Sequence, residues 1–371
     1  MSISLQSAMP WQPPPGGGIE DAGERLLLEA GAISKTLSKV YSYLPPGTRL
    51  RRNLIAIFER LVEPRGFEPI QLSALQQHVP GAGNYEDFQC LVSSPFLGQV
   101  RLISDTAEVV GRMVQRGIPA QNGIAVWMVS REWRAAGGSG GFRHSVEYEN
   151  LIAYRTGIAE HEPPAEAIEL LEQATTSLNL TYSWDVPALN SAGEYSAHNL
   201  TVTFDDGERF RIGQVCEFTH AASVRLGLVP GGAKGAASRG RTVCFSLSVN
   251  RTLYALARVL ASTDSQPWPL AVAPYHVHVV SVASRLPSDA RRRIDAAIST
   301  LSEQELAVLV DDRPISAGRK LFDSDRFRIP FRLVVGTRDR FGLRAPQRRE
   351  VEVGPERAAS MIMDIFRGLA Q

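Results

Sequence analysis

The rhythm of apolar runs changes near residue 263, and that change limits the folds open to this chain. Beyond it, apolar strands and amphipathic helices alternate: YHVHVVSV, SDARRRIDAAISTLSEQ, AVLVDD, KLFDSDRFR, FRLVVG, PERAASMIMDIFRGLA. Alternation of this kind over about a hundred residues predicts a small α/β domain with a largely parallel sheet. Before it, strands follow one another with little helix between them. GIAVWMVSREWR and VEYENLIAYR pair across a glycine-rich loop, HNLTVTF and RFRIGQVCEF join at Asp206-Gly207, and TVCFSLSV reads as a buried strand. That half is expected to be a mostly antiparallel α+β domain, and STDSQPWPLAVAP the linker between the two.

The remaining segments fill in this frame. Residues 20–39 have apolar positions at helical spacing, and Leu54, Ile57, Phe58 and Leu61 mark a second, longer helix after a Pro-Pro-Gly turn. GQVRLISDTAEVVGRMVQRG reads as strand, turn and helix with Asp105 or Thr106 near the cap, and 164–178 as a helix with Pro164 near its start. GGAKGAASRGR reads as flexible and basic. Residues 1–19 are Pro/Gly-rich, lack the pattern of a secretory signal, and are expected to be a disordered lead-in. The expected domains are therefore 20–262 and 263–371.

Function classes are narrowed mainly by what is lacking. No apolar run is long enough to span a bilayer. Cys90, Cys216 and Cys244 are too few and too scattered for a disulfide framework or a structural zinc site, so the cytoplasm is the default compartment. Lys+Arg 40 against Asp+Glu 39 gives a net charge of +1, which argues neither for nor against a nucleic-acid partner.

The stretch with most chemistry is EWRAAGGSGGFRHSVEYENL, residues 132–151. Glycine lets a backbone turn tightly and approach a ligand. Arginines on both stems point to an anion, with a surface hairpin carrying two solvated arginines as the plain alternative.

Taken in order, these stretches resemble class II aminoacyl-tRNA synthetases, and the prolyl-tRNA synthetases in particular. LLLEAGAISKTLSKVYSYLPPGTRLRRNLIAIFERL resembles that family's N-terminal helix, turn and long dimer-forming helix of motif 1. VWMVSREWR with GGFRHSVEY resembles motif 2, and VCFSLSVNRTLYAL motif 3. WPLAVAPYHVHVV opens what resembles the anticodon-binding domain, and VLVDDRPISAGRKLFDSDRFRIPFRLVVG its most recognisable run. The resemblance covers nearly everything from about residue 20. It implies a class II antiparallel sheet flanked by helices, then a small α/β anticodon-binding-type domain. The ninety or so residues between motifs 2 and 3 leave no room for the editing domain of many bacterial members.

The resemblance also implies roles for single residues. Forming an aminoacyl-adenylate requires a cradle for ATP, with Mg2+ as its companion ion, and a place for an amino acid. Arg134, after Trp133, would bind the α-phosphate, and Arg251 would hold the γ-phosphate unless it is a helix-surface ion pair. Tyr148 would stack on adenine or simply pack across strands. His144 stands near a position usually held by arginine, and Glu217 is placed to help bind Mg2+ or ATP. The amino-acid end would use Asp105, Thr106 and Glu108. Thr106-Ala107-Glu108 is literally a Thr-x-Glu pattern, while the gap-free register puts Asp105 at the threonine and Ala107 at the glutamate and leaves a carboxylate nearby. A helix cap explains Asp105 or Thr106 equally well. Gln214 stands where the family has histidine, and Cys244 matches a pocket-wall cysteine. Arg313, Lys320 and Arg338 would contact tRNA, with a structural ion-pair cluster as the alternative for the Asp-Asp-Arg run.

Departures are visible too. Ala136 replaces the motif 2 glutamate, and Ser246 and Ser248 replace motif 3 glycines, so adenine meets side chains where bare backbone is usual. The expectation is an ATP-dependent, amino-acid-activating ligase that passes its product to tRNA and acts as a homodimer away from membranes. The alternatives are a catalytically degenerate paralogue that binds tRNA or a protein, and a biosynthetic enzyme serving a non-tRNA acceptor.

Overall fold

The computed structural model describes residues 2–4, 21–77, 90–103, 105–116, 123–134, 141–158, 164–190, 193–229, 240–263, 266–282, 288–336 and 340–370. The chain forms two compact units. One gathers residues 1–34, 42–53 and 256–371, and the other residues 35–41 and 54–255.

The larger unit is built on an eight-stranded sheet. Its central strands are Tyr195–Thr203, Arg209–Phe218, Arg241–Ser248, Glu147–Ile158 and Ala125–Trp133, adjacent in that order and all antiparallel. Glu68–Pro69 adds a short parallel edge beside Ala125–Trp133. Successive strand residues face opposite sides, and directly paired residues share a side. One face therefore carries the even positions of four strands, including Met128, Tyr148, Ile152, Tyr154, Gln214, Cys216, Cys244 and Ser246. The odd face carries Trp127, Leu151, Val215 and Phe245. On it, Phe58 lies 6.1 Å from Trp127 and 5.9 Å from Phe245, and Phe67 meets Phe245 edge-on at 5.5 Å. Helix Ala165–Ser177 buries Leu170, Leu171 and Ala174 in this unit.

The even face is covered by helix Ala107–Arg116, whose Ala107, Val110 and Val114 pack with Met128, Ile152, Tyr154, Cys216 and Cys244. Gly111 permits the close seating: a Cβ there would lie 1.8 Å from the Leu226 carbonyl oxygen. Asp105 and Thr106 are thereby held at the helix N-terminus over the sheet. The Asp105 carboxylate accepts the Ala107 N–H at 2.9 Å.

In the smaller unit, Val308–Asp311, Val277–Ser281 and Phe331–Val335 are parallel neighbours, as the alternating pattern predicts. Two antiparallel strands that the sequence reading did not anticipate, Phe341–Arg344 and Val351–Val353, complete one edge. The core joins Val279, Leu301, Phe331, Leu333, Phe341 and Ile362. Ser2–Ser4, expected to be unstructured, pairs in parallel with Val308–Asp311 at the other edge.

Two local expectations need correction. The first helix runs over Ala22–Glu29 and does not reach 39, because Gly31 adopts φ +64° and ends it. Ile33–Leu37 and Val40–Tyr43 are strands. Pro45-Pro46-Gly47 is the first turn of helix Pro45–Val62 and not a separate turn, since proline without an N–H fits where helical donors have no partner. The basic GGAKGAASRGR segment lies almost entirely outside the described residues.

Candidate functional site

A cavity of about 690 Å3 opens on the even face of the large sheet. Its wall includes Asp105, Thr106, Glu108, Arg134, Tyr148, Gln214, Cys244 and Arg251, which the sequence reading had singled out from four separate stretches. The rows from Tyr148 to Tyr154 span six residues of one strand, about 20 Å.

One end is cationic. The Arg134 guanidinium sits 4.7 Å from the centre of the Tyr148 ring, and its Nε donates to the Ser145 carbonyl at 3.2 Å. Arg251, in the first turn of helix Val249–Ala261, lies over Phe210 and donates through Nη1 to the Arg211 carbonyl at 3.1 Å. Arg211 donates through Nη1 to Asn199 Oδ1 and Gln214 Oε1, both at 3.2 Å. These three guanidiniums are held by neutral oxygens and by no carboxylate among the described residues. Burial, then the Arg211 and Arg134 charges, lower the Arg251 pKa to about 10. Arg251 still carries its proton at neutral pH, in a field already positive. The other cavity arginines are matched: Arg101 with Glu108 at 2.7 Å, Arg143 with Glu208 at 2.6 Å, and Arg225 with Glu194.

The rest of the wall is acidic and weakly polar. Glu132 is buried beside Tyr148, its cross-strand partner, and accepts from the Asn150 amide at 3.0 Å. Burial pushes its pKa up to about 7 against the opposing hydrogen bonds of Asn150 and Tyr148, with Asp105 adding to the rise. Surrounding protein also pushes the Asp105 carboxyl upward, while the Ala107 N–H pulls it back. Asp105 remains open to the cavity, so solvent moderates that push. Thr106 shares a 2.7 Å hydrogen bond with the Tyr154 hydroxyl. Cys216 and Cys244 are cross-strand partners on the floor, and burial raises both thiols far above the thiolate range at neutral pH.

Two proposed ATP contacts are not on the cavity wall. His144 does not line the cavity. Burial, then Arg251, Arg143 and Arg134, lower its pKa, so it is neutral where a phosphate ligand would need charge. Glu217 is an odd residue and faces away from the cavity, with its carboxylate on His198 at 2.7 Å and on Arg241. Among the described residues no group of three or more His, Cys, Asp or Glu fits a metal ion.

In the smaller unit, Arg313 grips Asp311 at 2.7 and 2.9 Å and Asp323 at 2.9 Å. Lys320 is buried and donates to the Ser281 and Asp311 carbonyls. Arg338 lies outside the described residues.

The sequence reading missed Glu132, Asn150 and Arg211 as cavity residues; Arg143, the second stem arginine read as an anion contact, lines the cavity but is paired with Glu208. For Glu132 and Asn150 a signal existed: they share parity with Arg134 and Tyr148 on paired strands. Arg211 had none, because a bulge places it. Leu200 pairs with Gly213 but Thr201 pairs with Arg211, so Ile212 is the extra residue and Arg211 swings to the cavity side.

No protein-family profile matches the chain. Curated relatives match part of it in sequence. A proline–tRNA ligase of Geobacillus sp. (strain WCH70) is 34% identical over 128 residues, which is 34% of this chain and 22% of that protein. One of Bacillus cereus (strain B4264) is 43% identical over 94 residues, 25% of this chain and 16% of that protein. The matches thus span about a fifth of the curated relatives' length. Structural similarity reaches much further. The prolyl-tRNA synthetase of Cryptosporidium parvum, solved with halofuginone and AMPPNP, superposes with TM-score 0.74 at 11% identity over 94% of this chain and 75% of its own. That of Giardia lamblia, solved with prolyl-adenylate, gives 0.76 at 12% identity over 94% and 79%. The chain is thus prolyl-tRNA synthetase-like, in fold over 94% of its length and in sequence over a quarter to a third of it.

Proposed function

We propose that the cavity binds ATP and an amino acid together, joins them as an aminoacyl-adenylate and passes the aminoacyl group to tRNA. The observation that carries this reading is the set of guanidiniums at one end with no carboxylate partner among the described residues. Arg134 and Arg251 are half-buried and Arg211 is exposed; guanidiniums gathered this closely without counter-charge repel one another and suit a polyanion. In the reaction the amino acid's carboxylate oxygen attacks the α-phosphorus, the bond from that phosphorus to the β-phosphate bridge breaks, and pyrophosphate leaves. Arg134 stabilises the charge on the α-phosphate, and Arg251 holds the far end of the triphosphate. Tyr148 offers the nucleotide base a stacking face. Asp105 and Thr106 receive the substrate ammonium, and Cys244 and Ile152 bound its side chain. The two solved neighbours, one with AMPPNP and one with prolyl-adenylate, make ATP and proline the first ligands to test.

The reading extends to residues 20–262 as the catalytic domain, residues 263–371 as an anticodon-binding domain, and a cytoplasmic homodimer without an editing module. Isotopic exchange between ATP and pyrophosphate, run with each amino acid, tests it. Exchange with one of them is expected. No exchange with any, together with no ATP binding by calorimetry, overturns it.

A second reading has its own support. Gln214, Ser246 and Ser248 all line the cavity, and the serines add side chains to its floor. They favour a degenerate paralogue that binds RNA without turning over nucleotide, for which salt-sensitive RNA binding without exchange is the signature. Acylation of a small acceptor without RNA would instead identify a biosynthetic ligase.

A further inference from the structure

We propose that Arg211 is a third phosphate-binding guanidinium, set into the polyphosphate end of the cavity by the bulge at Ile212. The proposal rests on the ATP-binding reading above and adds a residue to it.

Three observations converge. The bulge reverses the side that residue 211 faces, and its side chain lines the cavity with Arg134 and Arg251. The Arg251 guanidinium is bonded to the Arg211 carbonyl, so the two residues are fixed side by side. The Arg211 guanidinium is steered by two amide oxygens, Asn199 Oδ1 and Gln214 Oε1, which aim it without neutralising it.

This arrangement has an electrostatic cost in the empty site. The Arg211 charge is the largest Coulombic contribution depressing Arg251. Arg143 and Arg225, which also line the cavity, are matched by Glu208 and Glu194, whereas Arg211 is exposed and open to a ligand, with no carboxylate partner among the described residues. A triphosphate relieves the repulsion, with more negative charge than two guanidiniums can balance. Gln214 takes a role here as well, because its oxygen orients Arg211.

The test is calorimetric titration of ATP, ADP and AMP into wild-type protein, Arg211→Gln and Arg211→Lys, with folding of each checked by thermal melting. Arg211→Gln is expected to bind ATP about tenfold more weakly, with a smaller loss for ADP and little for AMP. Arg211→Lys should keep most of the ATP affinity. Wild-type ATP affinity retained in Arg211→Gln, or equal losses for all three nucleotides, overturns the proposal. Failure of the wild-type protein to bind ATP at all instead removes the reading on which it rests.

Discussion

The Arg134 guanidinium lies face-on to Tyr148, 4.7 Å from the ring centre. The ring thus holds a cation in place on one side, while its hydroxyl end meets Glu132, its direct cross-strand partner. The two functions of the side chain can be separated. Tyr148→Phe keeps the stacking surface and should leave ATP affinity within about threefold. Tyr148→Ala removes it and frees Arg134, and about a tenfold loss is expected from the stacking and cation–π contributions together. Titration calorimetry with ATP reads both.

Glu132 makes stability depend on pH in an unusual direction. Its folded pKa of about 7 lies above the ordinary value of 4.5, so between these two pH values the folded state holds the proton more tightly than the unfolded state does. Stability from this group is present below about pH 4.5 and is lost as pH rises through about 7. The full loss corresponds to roughly 3 kcal/mol. Glu132→Gln cannot ionise and can still accept from Asn150. Its melting temperature should therefore gain on that of the wild type as pH rises from 5 to 8. A difference between the two proteins that stays flat across that range would show that Glu132 carries no such linkage.

How much of this was legible beforehand depended on whether periodicity alone decided it. The paired strands flanking the glycine loop, the Asp206-Gly207 hairpin and the alternating C-terminal unit all follow from apolar spacing and turn chemistry. The convergence of Arg134, Tyr148 and Arg251 was read through family resemblance. The same alternation explains why Glu217 turns away: it is one residue out of phase with Cys216 and Gln214. Arg211 could not be read, because a bulge inverts the phase locally without a marker in composition. The early end of the first helix was signalled by Gly31, but apolar residues beyond it continued the helical spacing.

The Arg313 cluster predicts a stability effect in the smaller unit. Asp311 is fully buried and Asp323 nearly so, and one guanidinium serves both. Arg313→Ala would leave two buried carboxylates short of their main counter-charge, a loss of about 3 kcal/mol or more. Denaturant unfolding should show it. If tRNA binding were the main duty of Arg313, the variant would unfold normally and lose only RNA affinity.

Gly111 tests whether the lid helix sets the amino-acid end. An added Cβ would stand 1.8 Å from the Leu226 oxygen and 2.8 Å from its carbonyl carbon, both backbone atoms that no rotamer change can clear. Gly111→Ala must therefore shift helix Ala107–Arg116 away from Leu226 and carry Asp105 and Thr106 with it. Overpacking of this kind costs about 1–3 kcal/mol, which denaturant unfolding measures. The arginine end hangs on strands and on helix Val249–Ala261, none of which the methyl group meets. KM for the amino acid should rise several-fold more than KM for ATP. Gly318→Ala, also helical but with no atom within 4 Å of the new Cβ, is the matched control and should be neutral or slightly stabilising. Equal changes in both KM values for Gly111→Ala would mean that the helix supports the whole cavity and does not specifically position its amino-acid end.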